Sequence, residues 1–246
     1  FTSTGYPMEG KKSGNLVNRG TMLSGNSTFM TSNWDTILNY GTIQQGGSAN
    51  YGGGIALWCG SCTTNTITNT GTIETNDNGS KGIFNDYGGT ITTLNNDQGG
   101  SDPLTYIGTI PTNYNVIVNS SSDYGKIVFY APYYNGNGST QTNFGIHSSS
   151  TLALGTYSAV ITGLASGRFA SGTSGTFNSG TLNWTLNNSS GTIWDLVVTS
   201  VAPTITAVSS DKSAGSYKAG EAININITFS EIVNVAGTPQ ITLETG

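Results

Sequence analysis

The apolar residues of this chain recur in short clusters punctuated by Asn and Gly rather than in helical runs. Leu16-Val17-Asn18-Arg19-Gly20-Thr21-Met22 is followed by Ile37-Leu38-Asn39-Tyr40-Gly41-Thr42-Ile43 and then by Ile67-Thr68-Asn69-Thr70-Gly71-Thr72-Ile73. The shared pattern is apolar-x-Asn-x-Gly-Thr-apolar. Looser copies run from Ile83-Phe84-Asn85 to Gly89-Thr90-Ile91 and over Ile107-Gly108-Thr109-Ile110. Glycines at 20, 41, 71, 89 and 108 therefore mark a repeat whose period suits one coil of a β-solenoid. On that reading the apolar residues flanking the Asn-x-Gly bend point inward on two short strands. Asn and Gly at the corner are expected to supply a left-handed bend. Stacked coils bring like positions over one another, so Asn18, Asn39 and Asn69 are expected to form a side-chain ladder. The long step from Gly41 to Gly71 signals an enlarged coil or a skipped copy, with Ile55-Ala56-Leu57-Trp58 as the strand that fills it.

Beyond Thr112 the repeat fades while the strand signal persists. Tyr114–Val118, Gly125–Tyr130, Gly155–Ile161, Leu182–Leu186 and Ile193–Val198 read as strands, and Trp184 and Trp194 sit on the arms of a hairpin as plugs for a core. The predicted organisation is an all-β chain: a parallel β-helix (β-solenoid) over 1–111, its continuation or a closing β-domain over 112–199, and a partial immunoglobulin-like β-sandwich or inter-subunit linking segment over 200–246. The last segment rests on strict alternation at Ile223, Ile225, Ile227 and Phe229, followed by Ile232–Val235 and a strand containing Ile241 and Leu243. About four strands are expected there, fewer than the seven or so of a full sandwich.

Composition narrows the functions on offer. Only 9% of the 246 residues are charged, 35 are Gly, and the formal charge is −5. Neutral short side chains superpose from coil to coil without the repulsion that stacked like charges create. Eight Lys and Arg, with no cluster longer than Lys11-Lys12, leave no stripe to track phosphates, so nucleic acid is not an expected partner. No apolar run approaches the ~20 residues of a membrane-spanning helix. A first residue of Phe rather than Met is read as the start of a mature secreted protein.

With the repeats in view, the copies from Leu16 to Ile110 resemble the β-helical passenger regions of bacterial autotransporter-like adhesins. The tail, Ile227-Thr-Phe-Ser-Glu-Ile-Val-Asn-Val-Ala-Gly-Thr-Pro-Gln-Ile-Thr-Leu-Glu-Thr-Gly246, is similar to the first half of an immunoglobulin-like repeat found in tandem in very large bacterial surface proteins. The resemblance implies a secreted or cell-surface, adhesive or fibre-forming protein, and it carries over no catalytic residue.

Residues with chemistry of their own are few. Cys59-Gly60-Ser61-Cys62 has C-x-x-C spacing, but it lacks the helix N-terminus of a redox site and the second ligand pair of a zinc site. A local disulfide between Cys59 and Cys62 is expected, and with it an oxidising compartment. His147 is the only histidine. Acids gather between Glu74 and Asp102, and Asp77, Asp86 and Asp97 are the calcium candidates, weighed against ordinary Asx turns. Tyr51, Tyr87, Tyr133 and Tyr134 are candidates for stacking on sugars, and Lys81 and Lys126 are the basic residues a polysaccharide-cleaving site would draw on. The favoured expectation is a non-enzymatic, cofactor-free subunit of a surface filament, self-associating through the apolar tail residues in the manner of donor-strand addition. The rivals are an adhesin that binds glycans or calcium through its loops, and a β-helical polysaccharide-active enzyme.

Overall fold

The computed structural model describes residues 2–3, 14–24, 29–31, 33–46, 53–57, 61–75, 82–85, 88–130, 141–170 and 172–242. The chain is all-β and divides into two compact units, Phe1–Thr199 and Ser200–Gly246.

In the first unit the chain visits three parallel sheets in turn. Sheet B holds Asn15–Asn18, Trp34–Asn39, Thr63–Asn69, Thr90–Asn96, Asn113–Val116 and Asn143–Ile146, stacked in chain order. Sheet A holds Thr2–Ser3, Thr21–Ser24, Thr42–Gln45 and Thr72–Thr75. Sheet C holds Phe29–Thr31, Ile55–Leu57, Ile83–Asn85, Leu104–Gly108, Ile127–Phe129 and Gly155–Thr162. The register keeps like residues level: Ile37 lies between Leu16 and Ile67, Asn39 between Asn18 and Asn69, and Ile43 between Met22 and Ile73. Period-two alternation then turns Ile37, Asn39, Ile43, Ile67, Asn69 and Ile73 into the interior, all of them buried. Between Gly41 and Gly71 the chain places the sheet C strand Ile55–Leu57, parallel to Phe29–Thr31 and Ile83–Asn85, and the Gly41 and Gly71 copies lie directly next to each other in sheets A and B.

Two expectations need correcting here. The copies at 83–91 and 107–110 are out of phase with the first three. Ile83-Phe84-Asn85 belongs to sheet C, and Gly89-Thr90-Ile91 begins a sheet B strand. The true continuations of the Asn position in sheet B are Asn96 and then Val116 and Ile146. The corner glycines also serve a different purpose from the one expected, since neither Asn39 and Asn69 nor Gly41 and Gly71 adopt a positive φ. A Cβ on Gly41 would lie 2.0 Å from the Gly20 carbonyl oxygen, and one on Gly71 would lie 2.0 Å from that of Gly41. Glycine is needed because the stacked backbones nearly touch, not because the corner is left-handed.

After the last parallel strand the architecture changes. Ile193–Ser200 lies antiparallel beside Gly155–Thr162, and Leu182–Ser190 and Ser174–Phe177 extend sheet C further. The irregularity between Tyr157 and Ile161 contains Ala159 at φ 53°, whose N–H donates to Asp195 Oδ1 at 2.7 Å. Trp184 packs on Phe144 with ring centroids 5.5 Å apart, and Trp194 on Phe169 at 4.8 Å. Trp194 Nε1 donates to the Leu164 carbonyl at 2.7 Å. Both indoles are buried in the same core as the stacked Ile residues, at the end where the parallel strands give way to antiparallel ones.

The second unit, taken by itself, has two strands among the described residues where about four were expected. Ile205–Ser210 pairs antiparallel with Ile225–Phe229, and residues 231–242 form no strand. Lys212 pairs with Glu221 at 2.9 Å, and Asp211 accepts from the Asn224 backbone and side chain at 3.0 and 2.7 Å. Alternation here reports competence to form a strand; burial needs a second layer, and the described residues supply none.

Candidate functional site

Among the described residues, the asparagines that end the first strands of sheet B form a polar column between the stacked parallel strands. Each Asn closes its sheet B strand two residues beyond Leu16, Ile37 or Ile67, half-buried in the first case and buried in the others, so its side chain faces inward. Asn18 Nδ2 donates to Asn39 Oδ1 at 2.8 Å, and Asn39 Nδ2 donates to Asn69 Oδ1 at 2.8 Å. The second proton of each amide goes to the backbone of the next coil, to Thr42 O and Thr72 O, both at 3.0 Å. Asn69 continues the chain of donors to Asn96 Oδ1 at 3.2 Å and to Gln98 Oε1 at 3.1 Å. The ladder therefore has a direction, with every amide donating toward the C-terminal coil. Buried amides left unpaired would cost about 1–3 kcal/mol each, and here each one is paired to its neighbour.

The column ends in an orderly way. Gln98 takes over where no sheet A strand follows Asn96: its Oε1 also accepts from the Ile73 backbone N–H at 2.9 Å. Asn96 Nδ2 donates to the carbonyls of Gln98 and Lys126 at 2.9 and 3.1 Å. The next strand places Val116 at this level, whose side chain neither donates nor accepts.

A second corner, between sheets C and B, uses the same chemistry. Asn85 Nδ2 donates to Gly89 O at 2.8 Å and to Thr109 O, one coil on, at 2.9 Å. Tyr106 donates to Thr109 O at 2.5 Å. The signal for Asn96 was present in Leu94-Asn95-Asn96, another apolar-x-Asn, but the Gly-Thr that followed earlier copies is replaced there. Gln98 carried no signal, because its role is created by the missing sheet A strand.

The residues singled out for chemistry are scattered. Cys62 is buried and disulfide-bonded, whereas Cys59, the chain's other cysteine, lies outside the described residues. So do Asp77, Asp86, Leu243, Lys81, Tyr51, Tyr87, Tyr133 and Tyr134. Asp97 stands at the outer flank of the ladder corner, where Asn119 Nδ2 donates to its two oxygens at 2.9 and 3.1 Å and to Asp123 at 3.1 Å. Burial holds the Asp97 carboxyl above the usual range; the Asn119 hydrogen bond opposes this and the Asp123 charge adds to it. Glu74 is raised as well, by burial first and then by Asp102, and it accepts from Gln44 Nε2 at 3.0 Å. Among the described residues no three His, Cys, Asp or Glu side chains converge on a metal position. His147 Nδ1 lies 2.7 Å from Ser149 Oγ and accepts from the Ser149 backbone at 3.3 Å, a local turn contact. Lys126 sits over the Tyr124 ring at 5.1 Å. In the second unit Ile223, Ile227 and Ile241 are exposed, Ile225 and Phe229 are half-buried, and Ile241 lies outside both strands.

Tyr106 and Tyr114, both fully buried, belong to the core. Burial pushes both phenols well above their ordinary range, opposed at Tyr106 by a hydrogen bond from Asn85. They are packing residues: Tyr114 meets Phe129 and Phe144 edge-on or tilted, at 6.5 and 6.1 Å.

No protein-family model, no curated protein and no solved structure matches the chain.

Proposed function

We propose that this chain is an extracellular structural protein, a β-solenoid rod segment of a bacterial surface fibre, with a C-terminal immunoglobulin-like segment that links it to a neighbour. The observation that carries this reading is the asparagine ladder. Polar side chains that a catalytic or binding protein would turn toward a ligand are here spent inside the stack, each satisfying the next. A rod built this way gains length by repetition and holds its coils in register by side-chain as well as backbone hydrogen bonds.

Assembly is assigned to the tail. The last coil is covered by antiparallel strands and its core is filled by Trp184 and Trp194, so that end presents no open core. The two-stranded sheet of the second unit has no further strand paired to its outer edges among the described residues, and it carries Ile223, Ile225, Ile227 and Phe229 on one strand and its approach. A strand donated by a neighbouring subunit would pair an edge and cover these residues. Sedimentation and negative-stain electron microscopy of the full chain test this. Concentration-dependent filaments or oligomers that Ile227→Asp abolishes are expected; monodisperse particles at high concentration would remove assembly from the reading.

A further inference from the structure

The residue that follows each asparagine of the column faces outward, and these residues stand level with one another. Tyr40, Thr70 and Asp97 carry the strand ladder one step further, their N–H groups donating to the carbonyls of Asn18, Asn39 and Asn69 at 2.8, 2.9 and 2.8 Å. Arg19, Tyr40, Thr70 and Asp97 therefore form an outer file of four rungs just past the sheet B strands. The first three are exposed and Asp97 is half-buried. The next rung is Ile117, whose N–H donates to the Asn96 carbonyl at 2.8 Å and whose side chain is buried, so the file ends at Asp97.

The file carries a cation at one end and anions at the other. Arg19 lies over the Tyr40 ring, 4.7 Å from its centroid, a stacking that leaves the in-plane N–H groups of a guanidinium available to a carboxylate. Asp97 has Asp123 beside it, and the Asn119 amide that donates to both brings no charge to offset them. Lys126, near in sequence, is turned over the Tyr124 ring instead. Burial, and the Asp123 charge against the opposing Asn119 hydrogen bond, hold the Asp97 carboxyl above its ordinary range, as befits a carboxylate with no cation at hand. Among the described residues no ion pair includes Arg19, Asp97 or Asp123.

These charges cannot satisfy one another within one chain. Three steps of the strand spacing separate Arg19 from Asp97 by ~14 Å. Exposed charges that far apart are largely screened, since the Debye length is ~8 Å at physiological ionic strength. The rank before the file, Val17, Leu38, Thr68 and Asn95, is uncharged, and the rank after it is three glycines and Gln98. In a chain with only 9% charged residues, opposite charges at the two ends of one neutral, level file are a pattern that a partner can read.

We propose that this file is a self-complementary, side-by-side contact between two copies of the chain, related by a two-fold axis that passes between Tyr40 and Thr70. Turned end for end, the second copy brings its Arg19 to Asp97 and Asp123 of the first and its Tyr40 to Thr70 of the first, and each contact occurs twice. The match follows from the even number of level rungs, which sets Arg19 and Asp97 equally far from the axis on opposite sides. A parallel second copy does not fit, because it sets Arg19 against Arg19 and Asp97 against Asp97. Val17 and Tyr40, 49% and 45% exposed, add apolar surface beside the ion pairs. Pairs this exposed make a weak contact that salt loosens. The contact lies wholly on the first unit and goes beyond the linkage assigned to the tail.

Sedimentation equilibrium on the full chain tests the contact, with Ile227→Asp included in every sample to remove the tail linkage. At low ionic strength and high concentration the mass is expected to approach that of two chains. Arg19→Glu should weaken dimerisation about tenfold or more, and so should Asp97→Lys combined with Asp123→Lys. Mixed in equal amounts, the two variants should pair with each other, because each then meets opposite charge at both ends. One chain carrying all three changes should pair with itself for the same reason. Raising salt from about 0.05 M to about 0.5 M should weaken the dimer. A single-chain mass at every concentration, a dimer indifferent to both charge reversals, or reversals that fail to rescue one another would overturn the proposal. So would Arg19→Glu pairing more tightly with the unreversed chain than that chain pairs with itself, since that result assigns a parallel contact. Filaments that survive Ile227→Asp would count against the tail linkage, while the charge reversals still report on the file.

Discussion

Removing one rung from the middle of the ladder is the sharpest perturbation of the account. Asn39 is fully buried, its amide donates at 2.8 Å to Asn69 and at 3.0 Å to Thr72 O, and its Oδ1 accepts from Asn18 at 2.8 Å. Asn39→Ala deletes three hydrogen bonds and strands Asn69 Oδ1 and one Asn18 proton away from water. At about 1 kcal/mol per neutral bond, with a further desolvation cost for stranded partners, the loss comes to about 3–5 kcal/mol. For a cooperative unit of this size that corresponds to a fall in Tm of about 6–20 °C, read by far-UV circular dichroism or calorimetry at neutral pH. Asn39→Asp should be worse at pH 7, because it sets carboxylate oxygens against Asn69 Oδ1 and Thr72 O in a dry interior. Burial raises the folded-state pKa of such a carboxyl, so the folded protein binds the proton more tightly than the unfolded chain. The penalty of the Asp variant must therefore shrink as pH falls through that raised pKa, while that of the Ala variant does not follow it. A Tm shift under about 2 °C for Asn39→Ala would refute the reasoning, since it would mean the ladder amides are interchangeable with water.

Other expectations follow from the same geometry. Gly71→Ala should destabilise by more than about 3 kcal/mol, since its Cβ would lie 2.0 Å from the Gly41 carbonyl oxygen and that contact is with backbone; equilibrium urea unfolding measures it. Trp194→Ala should cost about 3–5 kcal/mol, and Trp194→Phe about 1–3 kcal/mol through the unpaired Leu164 carbonyl, in the same assay. Ala159→Gly should stabilise by about 0.5–1 kcal/mol by relieving the left-handed φ of 53°. Above the ordinary tyrosine pKa the unfolded chain loses phenolic protons that Tyr106 and Tyr114 retain in the fold. Stability should therefore be full below that pKa and decline as pH rises through it, with part of the 295 nm phenolate absorbance appearing only on unfolding. Millimolar calcium should leave Tm unchanged; a calcium-dependent rise removed by Asp97→Asn would favour the adhesin reading.

Much of this fold was legible in the pattern of apolar-x-Asn-x-Gly-Thr, because three copies sit at one corner and face the same physical demands. Ile37, Asn39 and Ile43 had to point inward together once the alternation was accepted. The later copies were misplaced in phase because Asn85 answers the same demand at a different corner, where an amide again bridges to the carbonyl of the next coil. Sequence alone does not say which corner an Asn serves. The purpose of the glycines was also hidden: left-handed corners and close backbone approach select the same residue, and only the 2.0 Å approach at Gly41 and Gly71 separates them. Gln98 was invisible because its partner set, Asn69 and the Ile73 N–H, is assembled across coils by the absence of a strand. In the tail, alternation at Ile223, Ile225, Ile227 and Phe229 gave a strand but not the layer that would bury it.

The stacked strands are held by inward amides that serve one another and the neighbouring backbone. Side-chain amide hydrogen exchange by NMR on the full chain tests this directly. Asn39 and Asn69 Nδ2 protons should exchange orders of magnitude more slowly than those of exposed Asn188 and Asn226, and Asn39→Ala should restore fast exchange at Asn18. Exchange of the Asn39 and Asn69 amides at the rate of those exposed residues would contradict the account.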